Sequence, residues 1–169
     1  MQIYQAIIDT PFSQLGIKTQ NEAVVSIDFL PVNTEKSFTS SSLTECLVHH
    51  LQCYLNSPDH HFEIPLLATG TPFQQSVWKI MRTIEAGKTL TYGEVAMSLN
   101  SSPRAVGNAC RRNPIPLLIP CHRIVAKDGL GGFAGQTNGA VFNIKRWLLM
   151  HESRLRNENT GINGLNFKL

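Results

Sequence analysis

The sequence predicts a mixed α/β protein of the α+β kind, with a strand-rich start followed by a helical region. Two early segments, Tyr4–Ile8 and Ala23–Leu30, are rich in the β-branched and aromatic residues that favour strands. From Leu43 onward, apolar residues recur at helical spacing instead. The 169 residues, 42% of them hydrophobic, suffice for one domain or two small ones. We expect three regions: an N-terminal domain at 1–68, a second domain at 69–155 and a polar tail at 156–169.

The two early strands are predicted to form a β meander. Pro11, Gly16 and Asn21 interrupt the segment between them, and all three residue types favour turns. The helix expected next has an apolar face made of Leu43, Leu47, Leu51, Tyr54 and Leu55. It ends near Asn56, because Pro58 cannot continue a helix.

This helix also carries four side chains of metal-ligand type, Cys46, His49, His50 and Cys53. Four ligands within two helical turns cannot all converge on one tetrahedral ion. We therefore expect ordinary packing with exposed histidines and no metal, and a metal site is the alternative.

A second helix is predicted to begin after Thr71. Thr71 and Gln74 form a Thr-x-x-Gln capping box, and Pro72 occupies the first helical position. Apolar residues follow at helical spacing, and Gly87 is predicted to end the helix. We assign Trp78 to the core.

Two short helices follow, Tyr92–Leu99 and Pro103–Arg112, with Ser102 as the N-cap of the second. Two short helices joined by a tight polar turn are the helix-turn-helix pattern. The outer face of the second helix consists of Arg104, Gly107, Asn108 and Arg111. Its charge is compatible with DNA binding, and a solvated face is the alternative. Since glycine costs about 1 kcal/mol in a helix relative to alanine, we expect another backbone to approach Gly107 closely.

Three prolines shape the segment Asn113–Arg123. They exclude a helix and favour extended conformations before each proline. Together with the apolar run Leu117–Ile119, they predict a buried strand that ends by presenting Cys121 and His122. A rigid support of this kind suits a reactive group.

A cysteine is a nucleophile only as its thiolate, and at its ordinary pKa of about 8.5 little of it is ionised near neutral pH. We expect His122, Arg123 and a carboxylate that orients the histidine to lower the pKa of Cys121. A buried cysteine that neighbours a histidine by chance is the alternative.

Four glycines in the seven residues 129–135 predict a lid whose backbone lies against a flat ligand. The closing helix is expected over about Phe142 to Glu152, with Trp147 and Leu148 inward. Glu152 would then lie near the C-terminal end, where a carboxylate opposes the helix dipole, so we expect a functional partner for it.

Composition indicates in which compartment the protein works and which partners it can have. A formal charge of +3 and a pI near 8.8 permit a nucleic-acid partner without requiring one. Four irregularly spaced cysteines do not form the disulfide framework of a small secreted domain. No apolar run approaches the roughly 20 residues of a membrane span, and the start lacks a basic segment followed by an apolar one. We expect a cytoplasmic protein without a membrane partner.

Taken in order, these motifs resemble those of the O6-alkylguanine-DNA alkyltransferases, also called methylated-DNA–protein-cysteine methyltransferases. The matching motifs are Gly70–Gln74, Val77-Trp78, Thr91–Gly93, Arg104–Gly107, Asn113-Pro114, Pro120–Arg123 and Trp147–Glu152. The resemblance is strong over about residues 65–152 and loose over 1–64. It implies a small ribonuclease-H-like sheet domain followed by a winged helix-turn-helix-like alkyltransferase domain.

The resemblance implies single-turnover DNA repair, in which Cys121 takes the alkyl group from O6 of guanine in double-stranded DNA, and more weakly from O4 of thymine. His122, oriented by Glu152, would act on the thiol through a water. Tyr92 would donate a proton to the departing guanine, and Arg123 would order the site. The protein would act as a monomer and need no cofactor.

Because the base must leave the duplex to react, the resemblance also implies a DNA interface and a base pocket. Arg104 would fill the place of the base, with the helix pair in the minor groove. The matching interface residues are Tyr92, Arg104, Ala105, Gly107, Asn108 and Arg111. The matching pocket residues are Cys110, Asn113, Pro116, Ile124, Phe133 and Ala134.

The chain departs from the family pattern in the turn before Arg104, which is about two residues shorter, and in segment 136–143, which is longer. Both departures are expected to affect the site. Three rival functions are a sensor that binds damaged DNA without transfer, a DNA-binding regulator and a thiol hydrolase. Cys121 argues against the sensor, the set Cys121, His122 and Glu152 against the regulator, and Arg104 against the hydrolase.

Overall fold

The computed structural model describes residues 4–160, with side chains described through Arg154. It begins with an antiparallel meander of strands β1 (Ala6–Asp9), β2 (Gln14–Gln20) and β3 (Ala23–Leu30), in the order β1-β2-β3. The predicted meander is confirmed, but the turn assigned at Gly16 is wrong, because that residue lies inside β2. A β-carbon there would come within 2.6 Å of the Tyr4 ring, so this glycine serves close packing.

Helix α1 (Ser42–Asn56) follows, and Leu47, Leu51 and Tyr54 on its apolar face are buried, as predicted. The edge of β3 contacts the second half of the chain. The backbone N–H of Ile27 donates a hydrogen bond to the carbonyl oxygen of Pro114 over 2.9 Å. The N-terminal sheet is therefore tied directly to the segment that precedes Cys121.

Helix α2 (Pro72–Thr83) has the predicted capping box between Thr71 and Gln74. The predicted end at Gly87 is wrong, because the helix stops at Thr83 and Gly87 lies in the following turn with a φ of 76°. Trp78 is buried as predicted, and its indole N–H donates to the Ala109 carbonyl over 2.9 Å.

The helix pair consists of α3 (Tyr92–Ser98) and α4 (Pro103–Arg111), which pack against each other, while α2 packs against α4. Ser102 caps α4 as predicted. Beside the pair, β4 (Leu90–Thr91) and β5 (Ile124–Val125) form a two-stranded parallel sheet. Because β5 follows Cys121 by three positions, this sheet fixes the chain just beyond the cysteine.

The segment predicted as a buried strand, Asn113–Arg123, is buried but is not a strand. It is a compact turn in which the Ile119 N–H donates to the Ile115 carbonyl over 2.9 Å, followed by a 3-10 helix over Cys121–Arg123. Prolines exclude the α-helix but not a turn, and Asn113 stabilises the turn from within. Its amide donates to the Ile119 carbonyl over 2.7 Å and accepts from the Ile115 N–H over 3.0 Å.

The closing helix α5 (Gly139–Thr160) is longer than predicted at both ends. Glu152 therefore lies inside the helix, and its predicted position against the helix dipole is wrong. Most of the longer segment 136–143, between the lid and Glu152, forms the first turn of α5. The expected tail at 156–169 is helical through Thr160, and its remainder lies outside the described residues. Among the helices of residues 4–160, none has the length and apolar character to cross a membrane.

Candidate active site

Cys121 is buried at the base of a cavity of about 350 Å³, which is within the size range of small-ligand pockets. One wall belongs to the helix pair and consists of Tyr92, Pro103, Gly107, Cys110 and Arg111. The other wall is the glycine loop, from Gly132 to Thr137. The predicted lid thus borders the thiol, and the cavity lies between it and the predicted DNA-binding helix.

The predicted pocket residues divide into two groups. Cys110, Phe133 and Ala134 line the cavity. Asn113, Pro116 and Ile124 do not line it and instead support the cysteine from the turn and from β5. Gln136 and Thr137, which the sequence did not single out, complete the outer rim.

His122 is held by Glu152, 30 positions later. The imidazole Nε2 lies 2.8 Å from Glu152 Oε1, and both side chains are 1% exposed. Burial lowers the pKa of His122, and although burial alone would raise the pKa of Glu152, His122 and Arg123 hold it well below its usual range. The pair is therefore a neutral imidazole beside a carboxylate. In this state Nε2 carries the proton and donates it to Glu152.

This assignment leaves Nδ1 of His122 as a basic lone pair. Nδ1 is buried and, among the described residues, receives no hydrogen bond. A buried imidazole nitrogen without a partner has a cost, so it is typical of a functional site rather than of a structural histidine. It provides a proton acceptor next to the cysteine in sequence.

Arg123 supports the same carboxylate, as the prediction of a structural role implies. Its Nε lies 3.0 Å from Glu152 Oε2, and its Nη2 lies 2.9 Å from Oε1. A further nitrogen, Nη1, donates to the Ile84 carbonyl over 2.5 Å. The bidentate contact of Nε and Nη2 with Glu152 fixes the plane of the carboxylate and neutralises its charge.

The expectation that His122 and Arg123 lower the pKa of Cys121 is wrong. Burial dominates and raises the pKa of the thiol, while Asn113, Lys145 and backbone N–H groups oppose it. The resting residue is a protonated, buried thiol. Nucleophilic attack therefore requires a base at the moment of reaction, and this requirement matches the free nitrogen of His122.

Sequence reasoning missed Lys145. This lysine is buried on α5, and its Nζ donates to the carbonyls of Ile124 and Gly132 over 2.6 and 2.9 Å. It thereby ties β5 to the lid, and burial lowers its pKa to about 8. The signal was present, because Lys145 lies three and seven positions before Leu148 and Glu152, on the inward face of α5.

The lid is connected to the helix pair. The Tyr92 hydroxyl donates to the Gly132 carbonyl over 3.2 Å. At the tip, Phe133 and Gln136 exchange backbone hydrogen bonds of 2.7 and 2.9 Å around Ala134 and Gly135, which both have positive φ. A β-carbon on Gly135 would come within 2.8 Å of the Arg111 side chain, so a side chain there would displace the arginine.

The predicted DNA-binding face of α4 is largely exposed: Arg104, Asn108 and Arg111 are exposed, and Ala105 and Gly107 are partly buried. The expected close backbone approach at Gly107 is wrong within the described chain. A β-carbon there would meet only the Tyr92 ring, at 3.9 Å, which is ordinary contact.

The Cys/His group on α1 forms two separate pairs. His49 Nε2 lies 3.6 Å from Cys53 Sγ, and His50 Nδ1 lies 2.8 Å from His60 Nε2. Over residues 4–160, no three His, Cys, Asp or Glu side chains are grouped so that they could hold a metal ion.

Known proteins of similar sequence identify the family. A methylated-DNA–protein-cysteine methyltransferase of Saccharolobus islandicus is 35% identical over 134 residues, which are 79% of this chain and 87% of that relative. This chain belongs to the methylated-DNA–protein-cysteine methyltransferase family. The model of the 6-O-methylguanine DNA methyltransferase DNA binding domain matches residues 72–154. The family predicted from the motifs is confirmed.

Solved structures agree with this assignment. The O6-methylguanine methyltransferase of Mycobacterium tuberculosis is similar at a TM-score of 0.74 and 31% identity, over 88% of this chain and 91% of that chain. A second M. tuberculosis structure, a complex with DNA, has a TM-score of 0.74 and 32% identity over the same shares, 88% and 91%. The predicted α+β class with two parts is confirmed.

Proposed function

We propose that this protein repairs double-stranded DNA by moving the alkyl group of O6-alkylguanine to Cys121. The single observation that carries the proposal is the buried thiol at the base of a cavity, beside a histidine whose free nitrogen is set by Glu152. Family membership supplies the reaction class. Neither a regulator nor a plain DNA-binding module requires this arrangement.

The chemistry is one displacement at carbon. Cys121 Sγ attacks the alkyl carbon and forms a carbon–sulfur bond, while the bond from that carbon to guanine O6 breaks and its electron pair stays on the base. The thiol proton moves to His122 Nδ1 through an intervening water. Tyr92 is protonated at neutral pH because burial raises its pKa, and it donates this proton to the guanine ring as the base departs. The tyrosinate then takes a proton from solvent and His122 releases the thiol proton to solvent, so no net proton is gained or lost. The products are a neutral thioether and ordinary guanine.

The carboxylate network supports the base. As His122 gains a proton, its Nε2–H points at an anionic oxygen 2.8 Å away, which stabilises the imidazolium. Arg123 keeps that oxygen in place. Lys145 supplies a nearby positive charge as the sulfur becomes anionic, and it is among the groups that oppose the effect of burial on Cys121.

DNA binds across the outer face of α4. Base chemistry requires the damaged nucleotide to leave the stack, at a cost of a few kcal/mol. Arg104 fills the vacated place, and Ala105, Gly107, Asn108 and Arg111 contact the minor groove, where little base identity is read. The complex of the M. tuberculosis relative with DNA supports this partner. The protein acts as a monomer.

Among the residues that the structure describes, no group is placed to return the thioether to a thiol, so each molecule acts once. O4-alkylthymine is the weaker substrate. The protein works in the cytoplasm, on double-stranded DNA.

The test mixes protein with a slight excess of duplex that carries one O6-methylguanine and measures the remaining lesion by chromatography of the hydrolysed bases. We expect wild type to remove one lesion per protein and Cys121→Ser to remove none, while Cys53→Ala, on the surface of α1, behaves as wild type. Binding without lesion loss would identify a damage sensor. Repeated turnover would contradict the mechanism.

A further inference from the structure

Tyr54 belongs to the N-terminal region and does not line the cavity, yet it contacts the active-site carboxylate. It lies near the end of α1, is 2% exposed, and its hydroxyl donates to Glu152 Oε1 over 2.8 Å. The two residues are 98 positions apart. A direct bond therefore joins α1 to the catalytic network.

The ring and backbone of Tyr54 are both held in place. The ring centroid lies 5.5 Å from that of Phe62 and 5.2 Å from that of His151, which meets it edge-on. The backbone carbonyl of Tyr54 accepts a hydrogen bond from His151 Nε2 over 2.9 Å. Because His151 precedes Glu152 on α5, two consecutive residues of that helix contact one tyrosine. His151 therefore orients the tyrosine, and Phe62 adds apolar contact to its ring.

The hydroxyl acts only as a donor. Burial first, and then the charge of Glu152, raises the pKa of Tyr54 far above its ordinary value, so the proton stays on the phenol. The oxygen that it contacts also accepts from His122 at 2.8 Å and from Arg123 at 2.9 Å. Donors from three residues, Tyr54, His122 and Arg123, therefore fix the position of this oxygen. The three residues also share the negative charge of this oxygen. Each hydrogen bond therefore weakens the hydrogen bonds that the other two residues donate to it.

We propose that Tyr54 is a positioning residue for alkyl transfer, which orients Glu152 and limits how strongly this carboxylate holds a proton on His122. Only the kinetic consequence rests on the proposed function. Besides Tyr54 from α1, the charged or titratable groups near His122 and Glu152 are Arg123, Cys121, Lys145 and His151. Of these groups, only Tyr54 comes from the N-terminal region of the chain, on α1.

Tyr54→Phe keeps the ring and removes only the hydroxyl. Because Glu152 loses one of the donors that fix its position, it orients His122 less well, and the rate constant of alkyl transfer is expected to fall by about tenfold at neutral pH. DNA affinity should be unchanged, because Tyr54 is buried and is not part of the exposed face of α4. The acid limb of the pH–rate profile should move to higher pH, since a more basic Glu152 favours protonated His122. The matched control is Phe62→Leu, which loosens packing on the same ring but keeps the hydroxyl, and should lower Tm without moving the profile.

A second measurement needs neither DNA nor activity. The titration of His122 is followed by 15N NMR of the imidazole in wild type, Tyr54→Phe and Phe62→Leu. We expect the pKa of His122 to rise in Tyr54→Phe alone. An unchanged pKa, or an equal rise in Phe62→Leu, would overturn the inference and leave Tyr54 as a packing residue. If wild type showed no transfer but the NMR shift appeared, the proposed function would fail while the coupling of Tyr54 to His122 would stand.

Discussion

Two cysteine–histidine pairs of this protein combine the same residue types in opposite surroundings. On α1, His49 Nε2 and Cys53 Sγ lie 3.6 Å apart on the surface, and His49 is exposed. At the site, Cys121 and His122 are both buried, and the histidine is fixed by a carboxylate that Arg123 and Tyr54 also hold. A thiol beside a histidine is therefore not what distinguishes the candidate active site. Its distinguishing feature is the buried carboxylate that contacts the histidine.

The largest difference expected between the two regions is in stability. Glu152→Gln removes the charge that faces His122 and Arg123 inside the protein. Breaking such a buried network is expected to lower the free energy of unfolding by about 3–5 kcal/mol. His49→Gln, on the α1 surface, is expected to change it by less than about 0.5 kcal/mol. Urea unfolding of both variants measures this, and equal losses would show that the carboxylate network is not special.

The two regions should also differ in reactivity toward a small thiol reagent. Without DNA, Cys121 is a buried thiol with a raised pKa, whereas Cys46 on α1 is exposed. Reagents such as iodoacetamide attack the thiolate, so we expect Cys46 to be alkylated more than about tenfold faster. Peptide mass spectrometry over a time course gives both rates. Faster labelling of Cys121 would mean that its thiolate is already formed in the free protein.

Lys145→Met tests whether the buried positive charge of Lys145 stabilises the thiolate of Cys121 during alkyl transfer. The substitution removes a positive charge close to Cys121, and the rate constant of methyl transfer at pH 7 is expected to fall by about tenfold. In wild type, Lys145 loses its positive charge above pH 8, since its pKa is about 8, and its contribution to the rate constant should be lost there. Lys79→Met, exposed on α2, is the control and should keep the wild-type rate. A loss limited to thermal stability would assign Lys145 a structural role alone.

The smallest effect expected is in the pH dependence of stability. Burial lowers the pKa of His122 below its ordinary value of 6.5, so the unfolded chain binds a proton there that the folded protein does not. Stability should therefore fall as pH decreases below 6.5, by up to about 1.4 kcal/mol per pH unit from this residue. His122→Gln should flatten the slope, and His49→Gln should not. Unfolding midpoints at pH 5, 6 and 7 supply the comparison, and identical slopes would contradict the neutral state of His122.

The sequence predicted what depends on local pattern. The capping box at Thr71, the N-cap at Ser102 and the apolar face of α1 are short-range features, and all three are confirmed. The segment before Cys121 was misassigned as a strand, because proline excludes a helix without choosing between a strand and a turn. The turn is stabilised by Asn113, whose side chain forms hydrogen bonds with the backbone of the turn.

The network around the cysteine depended on contacts that local pattern does not contain. Resemblance to a family supplied His122, Arg123 and Glu152, yet the bond from Tyr54 spans 98 positions and no motif indicates it. Helical spacing places Lys145 on the inward face of α5 but does not show that its ammonium group is buried, because a lysine on an amphipathic helix is usually exposed. The prediction of a lowered pKa for Cys121 is wrong for a related reason, since burial cannot be seen in the sequence. Charged neighbours are visible in the sequence, whereas the burial that outweighs them is not.

The most direct measurement locates the transferred group. Protein is incubated with a duplex that carries one O6-methylguanine, digested, and analysed by peptide mass spectrometry over all four cysteines, beside a Cys121→Ala control. We expect one methyl group per protein, confined to the peptide of Cys121, and none in the control. Methyl on Cys46, Cys53 or Cys110 instead, or methylation that persists in Cys121→Ala, would contradict the assignment of the buried pair as the reactive one.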